Sequence, residues 1–245
     1  MRARAGWLLA GLIAVGFAFV ATVAAQEPAV TGATCVTRYD MSARGITVGH
    51  EQMARAKVTR AGKEWVESRE NLDFVVNLLV YRYSRKSEEV ALTDSSGLCA
   101  YHLSMVENGK RKEISGELRD GLFAFTVTEN GSNRTWSLPK TEFDCTMQET
   151  PEQCVTKPGD TKTLRVLDPG DQAVVKCTYR YVTSEPITVG KRKVDCRVVD
   201  SEDGQNKVRT WLTTDTLGGV VLRQDGVNGR GPYSLRPTSH VAEVF

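Results

Sequence analysis

Downstream of residue 25, apolar and polar side chains alternate with a period of two, and turn residues interrupt the alternation at short intervals. Asn108-Gly109, Asp120-Gly121 and Asn130-Gly131 are dipeptides that supply the positive backbone φ of a tight hairpin. They separate Ala100–Glu107, Lys110–Arg119, Leu122–Glu129 and Ser132–Leu138, which predicts a four-strand antiparallel meander. In the third of these strands Phe123, Phe125 and Val127 share one face and Ala124, Thr126 and Thr128 the other, the pattern of a half-buried sheet. Leu72–Tyr83 is apolar on both phases, and its β-branched and aromatic content predicts one central strand covered on both sides rather than a buried helix. Further strands are expected at Thr163–Leu167, Asp171–Glu185, Gly190–Asp200, Asn206–Thr214 and Gly219–Gln224. Their separators are Asp168-Pro-Gly170, the Pro186 region, Glu202-Asp-Gly204 and Leu217-Gly-Gly219. Helical periodicity is scarce, with one short helix offered by Ala54–Asn71. The expected class is all-β with few or no helices, an antiparallel sheet built of hairpins and meanders.

Thr146–Lys162 holds Pro151, Pro158 and Gly159 among few apolar residues and reads as a linker loop. It divides the chain into an N-terminal β half, 26–145, and a C-terminal β half, 163–245, which either stand apart or form one continuous domain. Cys35-Val-Thr-Arg-Tyr39 with Ile46-Thr-Val-Gly49 is echoed by Cys177-Thr-Tyr-Arg-Tyr181 with Ile187-Thr-Val-Gly190. Equivalent hairpins would explain the echo, and chance is the competing explanation.

The first residues alter the expected compartment. Met1-Arg-Ala-Arg4 is basic, Gly6 through Val23 is apolar, and Val23-Ala24-Ala25 presents the small residues of a cleavage site. A secretory signal peptide spanning 1–25 is expected, with a retained anchor as the competing reading. No later run is apolar and long enough to span a bilayer, so the mature chain is expected to lack a membrane span and to lie in the periplasm or outside the cell. Without Arg2 and Arg4 the chain balances 30 basic against 30 acidic side chains, which argues against nucleic-acid binding.

All six cysteines, Cys35, Cys99, Cys145, Cys154, Cys177 and Cys196, lie beyond the signal. In an oxidising compartment an even number favours disulfides, although sequence alone does not choose the connectivity. Cys145 and Cys154 flank a polar loop that a local bridge would close. Cys177 and Cys196 stand equally far on either side of Pro186-Ile187, as opposed residues of a hairpin would. Cys35 and Cys99 are then left for each other.

Catalytic signatures are not visible. The chain has no Gly-x-Ser-x-Gly elbow, no P-loop and no CxxC, and none of His50, His102 and His240 stands at a metal-ligand spacing from a cysteine. No enzyme activity, cofactor or metal is expected. Asp144, Glu149 and Glu152 form a loose acidic cluster that reads as a solvated loop. Lys110-Arg-Lys112 and Lys191-Arg-Lys193 follow turns and read as solvated strand ends that guard an edge, with anionic lipid headgroups as the sharper alternative.

Leu78-Leu-Val-Tyr-Arg-Tyr83, Glu88-Glu89, Gly97-Leu98 with the Asn108-Gly109 hairpin and Phe143-Asp-Cys-Thr146 resemble a family of exported, uncharacterised bacterial β-rich proteins. Tyr179-Arg-Tyr181, Glu185, Cys196-Arg-Val198 and Thr210-Trp-Leu-Thr-Thr-Asp215 leading to Gly218-Gly-Val220 fit the same pattern. That family is more distantly similar to the periplasmic lipoprotein carriers of the LolA/LolB kind. The resemblance implies a curved sheet or half-open β-barrel around an apolar cavity that takes an acyl chain, lipid or lipoprotein. Phe74, Leu78, Phe123, Phe125 and Trp136 are the candidate lining, with a filled core as the plain alternative. The competing function is a structural or protein-interaction component of the envelope, stapled by disulfides and binding a protein partner through a sheet edge.

Overall fold

The computed structural model of the protein describes residues 29–243 apart from 61, 79–80, 214–216, 218 and 230. The signal segment expected at 1–25 lies outside the described residues. The chain forms β1 (Ala29–Ala43), β2 (Ile46–Arg60), β3 (Lys63–Leu78), β4 (Tyr81–Asp94), β5 (Gly97–Glu107), β6 (Lys110–Arg119), β7 (Leu122–Glu129) and β8 (Ser132–Pro139). Three short 3-10 turns, at Lys140–Glu142, Met147–Glu149 and Pro151–Cys154, surround the two-residue β9 (Cys145–Thr146). Then follow β10 (Thr161–Asp168), β11 (Ala173–Val189), β12 (Arg192–Glu202), β13 (Lys207–Thr213), β14 (Val220–Asn228) and β15 (Gly231–Glu243). No α-helix occurs among the described residues.

These strands make one 15-stranded sheet that meanders from β8 back to β1, crosses to β15, and meanders on to β9. The β1–β15 pairing joins the two halves by ordinary antiparallel ladder bonds, so the sheet is continuous across them. Among the described residues only the short β9–β10 pairing is parallel. β8 and β9, the two ends of the sheet, do not pair with each other. The curved sheet is instead drawn together by side chains. Phe143 and Leu167, which flank β9 and close β10, pack into the same apolar cluster as Leu98, Tyr101, Leu103, Ile114, Phe123 and Phe125.

The predicted meander is present. Asn108, Asp120 and Asn130 have φ of 49°, 51° and 49°, each followed by a glycine of positive φ, as two-residue hairpin turns require. Gly116 on β6 lies opposite Phe125. A Cβ there would fall 2.6 Å from the Phe125 ring and 2.7 Å from that of Phe123, so its lack of a side chain lets both rings lie flat.

Several boundaries differ from the sequence expectation. Ala54–Asn71 holds no helix: it forms the facing arms of β2 and β3, from Ala54↔Arg69 to Arg60↔Lys63. Leu72–Tyr83 is not one strand covered on both sides, because β3 ends at Leu78 and β4 begins at Tyr81. Leu72, Phe74 and Val76 are half-buried while Asn71, Asp73, Val75 and Asn77 are exposed, so only one face is covered. Leu79, Val80 and the side chain of Leu78 lie outside the described residues.

The second hairpin turns at Gly190-Lys191, not at Pro186. Pro186 sits inside β11, beyond the point where β10 pairs with it, and therefore withholds no ladder bond on that side. With the turn moved, Cys196 faces Glu185 and Cys177 lies toward the far end of the strand, so the two cysteines are not opposed. The same shift separates the echoed segments. Ile46-Thr-Val opens β2, whereas Ile187-Thr-Val closes β11.

In the segment expected as a linker, 146–162, the first part packs against β5, β10 and β11, with Thr146, Thr150, Pro151 and Val155 buried, while Thr156 through Gly159 are exposed. Arg55 of β2 donates to the carbonyl oxygens of Gln148 at 3.1 Å and Gly219 at 2.8 Å and to the Thr150 hydroxyl. Arg197 donates to the Val155 carbonyl at 3.0 Å. A plug held by arginines from both halves satisfies backbone groups that burial would otherwise leave costly.

Candidate functional site

Directly opposed residues of antiparallel strands share a face, so register decides which acids meet. Tyr39 opposes Glu51, Met53 opposes Glu70, Glu70 opposes Glu89, and Glu89 opposes Leu103. The inward face of β1–β5 therefore carries Glu51, Glu70 and Glu89 on adjacent strands, two of them directly across from each other. Asp168, at the end of β10, approaches from the opposite wall.

Glu70, Arg85, Glu89, Met147, Gln148 and Asp168 line a cavity of about 590 Å³, with Lys110, Arg111 and Lys112 also on its wall. Tyr101 Oη donates to Glu89 Oε2 at 3.0 Å and Gln148 Nε2 to Glu89 Oε1 at 2.6 Å. Lys112 Nζ donates to the Gly170 carbonyl at 2.8 Å.

Burial, followed by the charge of Glu89, pushes the Glu51 carboxyl up to about 7. Glu70 is raised well above the ordinary carboxylate value by burial and by Glu51 and Glu89, against the opposing pull of Arg85. Burial raises Glu89 in spite of the hydrogen bonds from Gln148 and Tyr101, and raises Asp168 in spite of backbone N–H donors. Burial thus biases all four acids toward their neutral forms. Among the described residues no three His, Cys, Asp or Glu side chains converge closely enough to hold a metal ion.

The C-terminal strands form a second concavity. A groove of about 870 Å³ has Val208, Gly226, Val227, Pro232 and Tyr233 as its apolar part, with Arg44, Arg180, Lys207 and Arg209 among its lining. Gly226 opposes Tyr233, and a Cβ at this glycine would fall 2.3 Å from the ring carbon Cζ, so the tyrosine lies over the strand only because residue 226 lacks a side chain. Carboxylates here are paired. Arg209 makes a two-bond fork to Asp200 at 2.6 and 2.8 Å, and Asp225 takes Arg223 at 2.6 Å and Arg236 at 2.5 Å. Burial acts to raise Asp225, but the hydrogen bonds from Arg236 and Arg223 hold it below the usual carboxylate range. Arg180 is exposed and has no carboxylate partner among the described residues.

The residues singled out from sequence are distributed differently. Phe123 and Phe125 are fully buried and stacked at 4.6 Å, and Phe125 stacks on Trp136 at 4.8 Å. Phe74 meets the edge of Tyr83 at 5.6 Å, apart from that stack. Asp144 pairs with Arg165 at 2.8 Å, Glu149 accepts the Leu98 and Thr146 N–H groups, and Glu152 is buried beside Thr210, so the loose acidic cluster is three separate capping and pairing residues.

No disulfide is formed among the described residues. Cys145, Cys154 and Cys177 border one core cluster, Cys35 and Cys196 lie in another, and Cys99 opens β5 next to Asp94. Burial pushes the Cys145 thiol up to about 12 and that of Cys196 to about 11, the opposite of what a reactive thiolate needs. Cys35 Sγ lies 3.8 Å from His240 Nδ1, which is itself 2.9 Å from Thr37 Oγ1. The void beside this group measures only about 20 Å³, too small for a substrate.

The interior acids left one sequence signal unused. Glu70 stands in phase with Leu72, Phe74 and Val76, so a carboxylate occupies the covered phase of an alternating strand. That a second such residue, Glu89, faces it is a matter of register alone.

No protein-family model and no curated protein matches the chain. Among solved structures, the chain is similar in fold to one described as the "Crystal Structure of Beta-barrel-like Protein of Domain of Unknown Function DUF1849 from Brucella abortus", with a TM-score of 0.56 at 10% identity over 88% of this chain and 98% of that one. The chain is therefore an all-β protein with a β-barrel-like fold.

Proposed function

We propose that the protein is a non-catalytic binding protein of the exported space that takes up a lipid or acyl chain, alone or attached to a lipoprotein, in the C-terminal groove. The observation that carries the proposal is the pairing of an apolar floor, Val208, Val227, Pro232 and Tyr233, with the exposed cation of Arg180 in one concavity of about 870 Å³. Each methylene buried there contributes about 0.8 kcal/mol, and a guanidinium suits an anionic headgroup. Val227 is 54% exposed, an apolar side chain left open for a ligand. The basic signal-like start supports an exported location.

The test is the intact mass of the mature chain, expressed from Gln26 into an oxidising periplasm and purified without detergent. The expected result is extra mass under native conditions that leaves as lipid on denaturation. Val227→Asp, on an exposed side chain, is expected to fold normally and lose that mass. A bare native mass, unchanged after incubation with a lipid extract, overturns the proposal.

A second reading rests on the sheet edge. Among the described residues β8 pairs only with β7, and Ser132 through Thr135 are exposed along it, which leaves its outer edge available for strand addition by a partner protein. Retention of one envelope protein, lost on Thr135→Pro with lipid binding unchanged, would favour it.

A further inference from the structure

The acid-lined cavity has features that a merely structural cluster lacks. Glu70, half-buried on the inward face of β3, accepts no hydrogen bond from a described residue. Gln148 Oε1 is buried without a donor in the same wall, and Arg85 Nε is buried there without an acceptor. These two buried, unsatisfied polar atoms beside one void of about 590 Å³ carry a penalty that each would shed on meeting a partner. One needs a donor and the other an acceptor.

Charge narrows the class further. Glu51, Glu70, Glu89 and Asp168 influence one another electrostatically, and Arg85 is the cation that offsets Glu70, Glu89 and Asp168. Glu70 and Glu89 are directly opposed across β3 and β4, a placement that repels when both are ionised. A positively charged ligand removes that repulsion. A divalent metal ion is disfavoured, since no three such side chains among the described residues are close enough to ligate one. An ammonium group asks for separated acceptors, which these carboxyls and the Gln148 carbonyl oxygen provide, and an adjacent hydroxyl supplies the acceptor that Arg85 Nε lacks.

We infer that this cavity binds a small hydroxylated organic amine, its ammonium seated between Glu70, Glu89, Asp168 and Gln148 Oε1 and its hydroxyl oxygen against Arg85. The volume lies within the range of small-ligand sites. Binding draws protons off the carboxyls, so affinity rises with pH. The titratable and charged groups lining the site are Glu70, Arg85, Glu89, Glu107, Lys110, Arg111, Lys112, Glu129, Asp168 and Asp171, and Glu51 and Tyr101 act on Glu70 and Glu89 from the adjoining strands. The inference is independent of the lipid groove, which lies on other strands.

The experiment is calorimetric titration of the mature chain with ethanolamine and with glucosamine, using N-acetylglucosamine as the uncharged control. Both amines keep the shared chemistry, and their relative affinity separates an amino alcohol from an amino sugar as the source. At least one amine is expected to bind near neutral pH, with N-acetylglucosamine silent and ethanolamine weakened about tenfold or more between about pH 8 and about pH 5. Glu70→Gln and Glu89→Gln, nearly isosteric and each checked by thermal melting, are expected to weaken binding about tenfold or more. Exposed Glu117→Gln is expected to leave it unchanged. Silence of both amines, equal binding of N-acetylglucosamine, or affinity unaltered in both folded Gln variants overturns the inference.

Discussion

The interior of the N-terminal strands and the groove of the C-terminal strands use the same acidic residue types to opposite effect. On β2–β4, Glu51, Glu70 and Glu89 are buried side by side around Arg85, and burial raises their carboxyls. On β12–β14, Asp200 and Asp225 each meet arginine forks, and Asp225 is held below its ordinary range by them. Desolvation acts in the same direction at Asp225 as at Glu70. A local partner decides which term wins. The first region thus resists ionisation and keeps unsatisfied polar atoms, while the second is electrostatically settled and leaves apolar surface open.

The sharpest way to break this division is through the aromatic stack. Phe125→Ala removes the ring shared by Phe123 and Trp136 and is expected to cost about 3–5 kcal/mol in urea unfolding while leaving lipid retention in the groove intact. Lipid loss with stability preserved would move the binding site into the N-terminal strands.

Next in size is the pH dependence of stability. Glu51 is raised from 4.5 to about 7, so its contribution is fully present below about pH 4.5 and is lost as pH rises through about 7, roughly 3 kcal/mol in all. The unliganded protein should therefore melt higher near pH 5 than near pH 8, and Glu51→Gln should flatten the slope. Asp225 has the reverse sign: its stabilisation is present above the ordinary carboxylate value and disappears only as acid passes its depressed one. A melting temperature that climbs from pH 5 to pH 8 would contradict the assignment of the interior acids.

Gly226→Ala places a Cβ against the Tyr233 ring and should cost about 1–3 kcal/mol, with the ring displaced and tyrosine fluorescence altered. If the variant is as stable as the parent with unchanged spectra, the tyrosine does not define the groove. Glu70→Gln, by contrast, should stabilise the unliganded chain near pH 8 by up to about 1 kcal/mol through loss of like-charge repulsion across the strand pair. Smallest of all, Asp144→Asn opens an exposed pair with Arg165 and should leave the melting temperature unchanged within error.

Much of the fold is legible locally. The Asn-Gly and Asp-Gly turns and the Phe123-x-Phe125-x-Val127 phase specify β6–β8 because a hairpin turn and a half-buried strand are written in adjacent residues. The error at Pro186 came from treating proline as a turn, when it occupies a stretch of β11 with no β10 neighbour, a circumstance set by the length of another strand. Likewise the proline-rich stretch after Thr146 has the composition of a surface loop, but Arg55 and Arg197 reach it from distant strands and bury it.

Sequence alone determined the all-β class and the hairpin meander, since each depends on neighbours within a few residues. Tertiary structure decided which carboxylates were unpaired and which were forked by arginine, because cross-strand register and curvature bring together residues far apart in the chain. Glu70 facing Glu89 and Arg236 reaching Asp225 from β15 have no local sequence cause, whereas Arg223 meets Asp225 as its neighbour two residues along β14. Dielectric environment and pairing, and with them protonation and binding capacity, are properties of that assembled geometry.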